Sequence, residues 1–417
     1  MITSKIKQKI DFSKYIHYII VGYAFSLSIS RACISIFTVL MILLWLIEGN
    51  FKRKFEQVKE NKVIVFLVIF TLYTFISLFW TTLESLENGA GQSFKIVRLV
   101  ILPILVIVTT LKKEYIPQVI TAFLLGMLVS EIISYGIFFE LWTWKHVTPT
   151  DPTPFMHHLD YSTFLAFTSL LLLNQFFTAT NWRIKVFYFV YFLFVTSNLF
   201  INGGRTGQLA FVISLFVVGF VNIRNKIKAF IAMLFLVIFI FYCAYELSPT
   251  FNQRLYEATN EIYDIKNIGD ERFKGSFGIR LGAWIVAIDM VKNNPLYGTG
   301  GGSEMVEFRE YVKNSAPELQ VVQILVHFHN EYVHIVVEYG IIGLILYLII
   351  WYYLFKMPIE NRSFSNLKVI FITVFSTASL VELIFHNQFP MSLFALFVGI
   401  FIVFSIDKKD NCRRNIE

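Results

Sequence analysis
The chain has 417 residues, of which 56% are hydrophobic, 17% aromatic and only 16% charged, with a mean hydropathy of +0.62. Soluble domains carry charge on about a quarter of their residues, so this composition excludes a soluble globular protein and implies a chain that crosses a bilayer many times. The net charge of +7 does not imply nucleic acid, because the basic residues fall in short clusters between apolar runs rather than along one amphipathic face.

In chain order, Lys5, Lys7, Lys9 and Lys14 precede a first apolar stretch that resembles a signal peptide. No small-residue cleavage site follows and the next apolar run comes at once, so this stretch is expected to stay as the first span. Runs of spanning length fall at 15–30, 32–48, 63–80, 96–111, 116–139, 159–178, 184–201, 207–223, 228–247, 331–355, 367–386 and 388–406, about twelve in all, the first two and last two forming tight hairpins. Alternate connections carry Lys52, Arg53, Lys54, Lys59 and Lys62; Lys112 and Lys113; Arg183 and Lys185; Arg224, Lys226 and Lys228; Lys356, Arg362 and Lys368. The tail residues Lys408, Lys409, Arg413 and Arg414 fall on the same side, so the positive-inside rule puts both termini in the cytoplasm. Cys33, Cys243 and Cys412 are scattered, which suits neither a disulfide framework nor a cysteine metal site.

The other side receives the connections 84–93, 142–158 and 202–206 and one long loop, 248–329. Within it Leu281, Trp284, Ile285, Ile288 and Val291 recur at helical spacing, which predicts an amphipathic helix over the membrane bundle; Asn293-Asn294-Pro295 ends it. Gly298-Thr299-Gly300-Gly301-Gly302 then predicts a turn that packs tightly; it lacks the Lys-Ser/Thr of a nucleotide P-loop. The expectation is an all-α polytopic membrane protein, residues 1–417 forming one membrane domain and 248–329 capping its outer face.

The candidate chemistry lies on that outer face. Arg205 stands alone between two spans, where a guanidinium is costly unless it meets an anion, a cavity or lipid headgroups. Arg280 opens the loop helix, and its planar fork suits a pair of phosphate oxygens. The stretch His327-Phe328-His329-Asn330-Glu331 leads into a membrane-length run, with Asn330 as an expected N-cap and a helix N-terminus behind it that favours anions. His329 is the sharpest candidate for a general base. His334 and Glu338 are four residues apart on one helix face and are expected to satisfy each other. His327 and His329 with His334 do not show an HExxH or carboxylate-rich spacing, so no metal is assigned. Lys95, Arg98, His158, Trp284 and Asn330 are further candidates for substrate contact; His157-His158 beside Asp160 and Tyr161 reads equally well as a structural loop.

Taken in order, Gly204-Arg205-Thr206-Gly207, Arg280-Leu281-Gly282-Ala283-Trp284, Pro295-Leu296-Tyr297-Gly298-Thr299-Gly300, His329-Asn330-Glu331-Tyr332 and Glu338-Tyr339-Gly340 resemble the O-antigen ligase and polymerase superfamily, most strongly over 197–347. The resemblance implies a GT-C-like membrane architecture in the bacterial inner membrane and a metal-independent, inverting glycosyltransferase without a cofactor. Its active site would be periplasmic and its donor a glycan linked to undecaprenyl diphosphate. It further implies that Arg205 and Arg280 engage the diphosphate and that His329 is the base. Within the family, Phe155-Met156-His157-His158-Leu159-Asp160-Tyr161-Ser162 and the modest loop look more like a ligase of lipopolysaccharide biosynthesis, whose acceptor is lipid A-core. An O-antigen polymerase or a protein O-oligosaccharyltransferase is the alternative there. From another class, a transporter of lipid-linked glycan is suggested by twelve spans with polar residues among them, although those residues gather at one face rather than at mid-membrane.

Overall fold
The computed structural model describes residues 12–144, 147–266, 273 and 275–405; Lys5, Lys7, Lys9, Lys408, Lys409, Cys412, Arg413 and Arg414 lie outside them. Among the described residues there are helices and turns but no strand, only the isolated bridges Trp144–Val147 and Thr148–Asp151. The helices are α1 (Phe12–Ser26), α2 (Arg31–Glu48), α3 (Phe51–Val58), α4 (Lys62–Ile76), α5 (Leu86–Ile96), α6 (Leu102–Thr110), α7 (Ile116–Phe138), α8 (His158–Thr178) and α9 (Trp182–Ile201). They continue as α10 (Arg205–Asn222), α11 (Lys226–Leu247), α12 (Pro249–Lys266), α13 (Ser276–Asn293), α14 (Glu304–Ser315), α15 (Glu331–Lys356), α16 (Arg362–Ala378) and α17 (Gln388–Ser405).

Nine helical segments among the described residues are long and apolar enough to cross a membrane: Arg31–Glu48, Lys62–Phe79, Leu83–Thr110, Lys113–Phe138, Trp182–Ile201, Arg205–Asn222, Lys226–Leu247, Glu331–Lys356 and Gln388–Ser405. Three further helices stand at the other expected spans. α1 and α16 have 15 and 17 residues. α8 has 21 and is buried at every position from Asp160 to Asn174, which explains its polar content: a helix walled by protein can carry Asp160, Ser162, Thr163 and Asn174 that lipid would reject. Around α8 the core is built from phenylalanine rings, with Phe167 edge-on to Phe371 and Phe397 at 5.2 and 4.6 Å.

Two expected boundaries move. The connection at 84–93 is mostly helix, since α5 starts at Leu86 and runs through a π turn, Val97–Ile101, into α6. Pro103 has no amide to give to the carbonyl four residues back, and the wider turn sits where that bond is missing. The expected span 367–386 stops at Ala378, and 379–387 forms a turn instead. That turn is held by its backbone: Glu331 N donates to Ser379 O at 2.8 Å, and the Glu331 carboxylate accepts from Ile384 N and Phe385 N at 2.7 and 3.1 Å.

Between α11 and α15 the chain builds a cap with its own apolar cluster, in which Ala283, Val286, Met290, Phe308, Val312, Val322 and Phe328 pack together. The loop helix is present as α13 and ends at Asn293, but its buried face is Gly278, Gly282, Ala283, Val286, Ala287 and Met290. Ile285 and Ile288, expected on the packed face, are exposed. Small residues let α13 approach its neighbours closely, while Trp284 and Val291 of the expected face do pack against the cluster.

The cap enters the bundle through a break in α15. Gly340 has φ +66° and ψ −171°, which interrupts the helix and frees the carbonyls before it and the amides after it. The loop 295–302 takes them up: Thr299 N and Gly300 N donate to Val337 O and Glu338 O, both at 2.9 Å, Ile341 N donates to Pro295 O at 2.9 Å, and Gly302 N donates to the Glu338 carboxylate at 2.8 Å. Tyr73 Oη donates to Tyr339 O at 3.1 Å. These bonds take up the backbone groups that the break would otherwise leave without partners, which is the condition for interrupting a helix of spanning length. The tight glycine turn expected from the sequence is therefore a plug, and Gly300, at φ +91°, lies against Thr81 where a Cβ would meet the Thr81 hydroxyl at 2.6 Å.

A Cβ on Gly340 would stand 2.1 Å from Leu296 O, in a positive-φ, extended-ψ backbone region that is essentially reserved for glycine at a cost of about 1–3 kcal/mol to other residues. Gly340→Ala is expected to lower the melting temperature in detergent clearly, whereas Gly91→Ala, which meets nothing within 4 Å, should leave it unchanged or raise it. Equal melting of the two variants would contradict this account of the break.

Candidate active site
At the cap end of the bundle a hollow of about 940 Å³ is lined by residues from five places in the chain, among them His158, Arg205, Glu257, Phe277, Arg280 and Val381. Arg205 is the first residue of α10 and Gly204 its N-cap, held close to α8: Gly207 N donates to Ser162 Oγ at 3.1 Å, and a Cβ on Gly207 would overlap the Ser162 carbonyl. Small residues in Gly203-Gly204-Arg205-Thr206-Gly207 thus let two helices touch and set the arginine at the rim. Its guanidinium meets the Glu257 carboxylate of α12 at 3.0 Å, with both side chains more than a third exposed. Such a pair contributes little stability, but it spares the hollow an uncompensated charge. Arg280 reaches the same hollow from the first turns of α13.

His329 lies just before α15, and Asn330 caps that helix by accepting from Tyr332 N and Val333 N at 3.0 and 3.1 Å. The cap expected there is present, and it engages the Asn330 side-chain oxygen. His329 itself has φ +49°, a strained conformation for a residue with a Cβ. Its Nδ1 lies 3.0 Å from Glu382 Oε2, and His327 Nε2 lies 3.4 Å from Glu382 Oε1. Glu382 belongs to the turn between α16 and α17 and its side chain is 3% exposed, while those of His327 and His329 are 25% and 17% exposed. A carboxylate lies beneath two imidazoles that open toward solvent. Burial raises the Glu382 carboxyl, but the His329 hydrogen bond and the neighbouring imidazoles outweigh it and hold it below its usual range. Burial lowers His327 to about 4, with the neighbouring histidines and Arg280 adding to the effect against Glu382.

The three residues singled out most sharply from the sequence therefore differ in setting. Arg205 and Arg280 line one hollow; His329 is not part of its lining but is hydrogen-bonded to Glu382, the residue after Val381, and Val381 does line it. His158 is in the hollow and its Nδ1 is 3.2 Å from Asp151 Oδ2. Trp284 donates its indole N–H to Phe328 O at 2.8 Å, so it fastens α13 to the histidine segment rather than facing the hollow. Lys95 donates to His386 O at 3.1 Å and steadies the Glu382 turn from α5, and exposed Arg98 does not line the hollow.

His334 and Glu338 pair at 3.4 Å, as their spacing predicted, and His334 Nε2 also lies 3.2 Å from His386 Nε2. The histidines thus divide into two groups, each including a carboxylate and compact enough for a metal ion: His327, His329 and Glu382, and His334, Glu338 and His386. His334 does not join His327 and His329. Two residues of the site were missed. Glu382 sat inside what read as an apolar span, 53 positions from His329, and Glu257 was one acid among several in the long loop. A lone carboxylate in Leu380-Val381-Glu382-Leu383-Ile384-Phe385 was itself the available signal, because an acid at membrane depth needs a partner.

Residues 190–348 match the profile of a family described as O-Antigen ligase. No curated protein matches the chain. The matched segment contains Arg205, Glu257, Arg280, His327 and His329 together with the α15 break, and Glu382 lies beyond it. This match, on an all-α membrane fold, supports a likeness of the segment 190–348 to the O-antigen ligase and polymerase superfamily.

Proposed function
We propose that this chain is an O-antigen ligase of the bacterial inner membrane: an inverting glycosyltransferase that moves polysaccharide from undecaprenyl diphosphate to lipid A-core on the periplasmic side. The observation that carries the reading is the shared hollow of Arg205 and Arg280, one residue along its wall from the carboxylate that holds His329. Breaking a sugar to diphosphate bond builds negative charge on the departing phosphate, and two guanidinium groups fixed on separate helices stabilise that charge. The acceptor hydroxyl loses its proton as it attacks the anomeric carbon, and the His329 imidazole receives it. The donor is already activated, so the reaction needs neither nucleotide nor metal.

An apolar groove of about 1040 Å³ between α9 and α11, lined by Leu193, Phe200, Phe239 and Leu247 among others, reaches Ile201 and Ser248. It ends beside the turn 202–204 that leads into Arg205, so a polyprenyl chain lying there presents its diphosphate to the guanidiniums. This lateral path, and the gathering of charged groups at one end of the bundle, favour transfer over transport. The choice of ligase over polymerase follows the segment 155–162, which brings His158 into the hollow, and the compact cap.

His329→Ala is expected to abolish transfer from a defined lipid-diphosphate donor in detergent while leaving expression of the protein intact. Full activity of that variant would remove the base from the mechanism. Arg280→Lys should reduce kcat/KM by about 10²-fold or more, the scale of losing one charge-stabilising donor, since a point charge does not replace a bidentate fork. Cells lacking the protein should carry bare lipid A-core and accumulate polymer on the carrier lipid; a ladder collapsed to a single repeat on the core would assign the polymerase reaction instead.

A further inference from the structure
The histidine pair and its carboxylate form a hydrogen-bond chain in which each proton position follows from its partner. The chain starts at the His329 backbone amide, which donates to His327 Nδ1 at 3.2 Å. An amide N–H only donates, so His327 Nδ1 carries a lone pair and the proton of the neutral ring is on Nε2. That Nε2 faces Glu382 Oε1 at 3.4 Å, and the same oxygen accepts from Leu383 N at 3.0 Å. The other oxygen, Oε2, lies 3.0 Å from His329 Nδ1. An ionised carboxylate has only lone pairs to offer, so His329 Nδ1 must be the donor. The positive φ of His329 belongs to the same arrangement, in which its amide meets His327 Nδ1 while its ring meets Glu382 in the turn between α16 and α17.

We propose that Glu382 and His327 are positioning residues that hold His329 in the Nδ1–H tautomer, so that Nε2 is the lone pair which meets the acceptor hydroxyl. This rests on the reading of His329 as the base. As the hydroxyl proton moves to Nε2, the ring becomes cationic with both nitrogens protonated, and the buried carboxylate under Nδ1 stabilises that charge without taking a proton itself. His327, uncharged beside Arg280, orients the carboxylate without competing for its charge. The three groups are also close enough to hold a divalent cation, but a cation bound through His329 Nδ1 would force the opposite tautomer, with the proton on Nε2. Tautomer and metal site are therefore exclusive and can be separated by one observation.

The test is nitrogen NMR on full-length protein labelled with ¹⁵N-histidine in detergent, at alkaline pH where imidazoles are neutral, with the His329 signals assigned by their loss in His329→Gln. The expected result is an Nδ1–H tautomer for His329 and an Nε2–H tautomer for His327. Glu382→Gln presents a side-chain amide that can donate to Nδ1, so it should populate the Nε2–H form of His329 and lower kcat by about 10²-fold or more with little change in KM. His327→Phe should lower kcat less, by about tenfold, and keep the His329 tautomer. An Nε2–H tautomer of His329 in the parent protein, or unchanged kcat in Glu382→Gln, would overturn the proposal; if that variant does not fold, the parent tautomer decides alone. An Nδ1–H tautomer together with full transfer by His329→Ala would instead remove the base reading and leave the hydrogen-bond chain standing.

Discussion
The break in α15 is the constraint on which the rest of the molecule depends. A membrane helix interrupted at Gly340 leaves carbonyls and amides that hydrocarbon cannot satisfy, and the loop 295–302 supplies their partners from the cap. The cap is thereby tied into the bundle by its own backbone rather than resting on it. α13 ends at Asn293, immediately before this loop, and His329 lies immediately before the broken helix, so one junction sets both the helix that carries Arg280 and the segment that carries the histidines. Trp284 closes the triangle by bonding Phe328 O.

Around that junction the charges are arranged so that each has a counterpart while the hollow stays open. Arg205 meets Glu257 at the exposed rim, and Glu382 is buried under His327 and His329. The difference in burial matters. A partly exposed ion pair is held weakly and yields to an incoming anion, whereas a buried carboxylate that has lost most of its hydration keeps its imidazole partners fixed. Under the proposed function, binding falls to the adaptable part of the site and proton transfer to the rigid part.

How much of this was legible in the sequence depends on whether the signal was local. Arg205 and Arg280 stood out because a cation in an apolar or turn setting has few reasons to be there, and Asn330 announced a helix start that the structure has. The all-α membrane fold followed from composition and run length. The packed face of α13 did not, because Gly282, Ala283 and Ala287 pack through their small size, which hydrophobic periodicity does not weigh. Glu382 was hidden because its apolar neighbours extended the reading of a span through a turn, and its link to His329 is a contact between separate helices' ends with no spacing to reveal it. The role of the glycine turn was half visible: tight packing was expected from it, but its partner, the interrupted backbone at Gly340, is a tertiary event.

The most direct measurement is a structure of the full chain determined with a non-hydrolysable polyprenyl diphosphate analogue bound in a lipid environment. The account predicts diphosphate density between the Arg205 and Arg280 guanidiniums, the isoprenoid chain leaving along the α9–α11 groove, and the anomeric position facing the His329 side of the hollow. Diphosphate bound at the opposite end of the bundle, or contacting neither guanidinium, would contradict it.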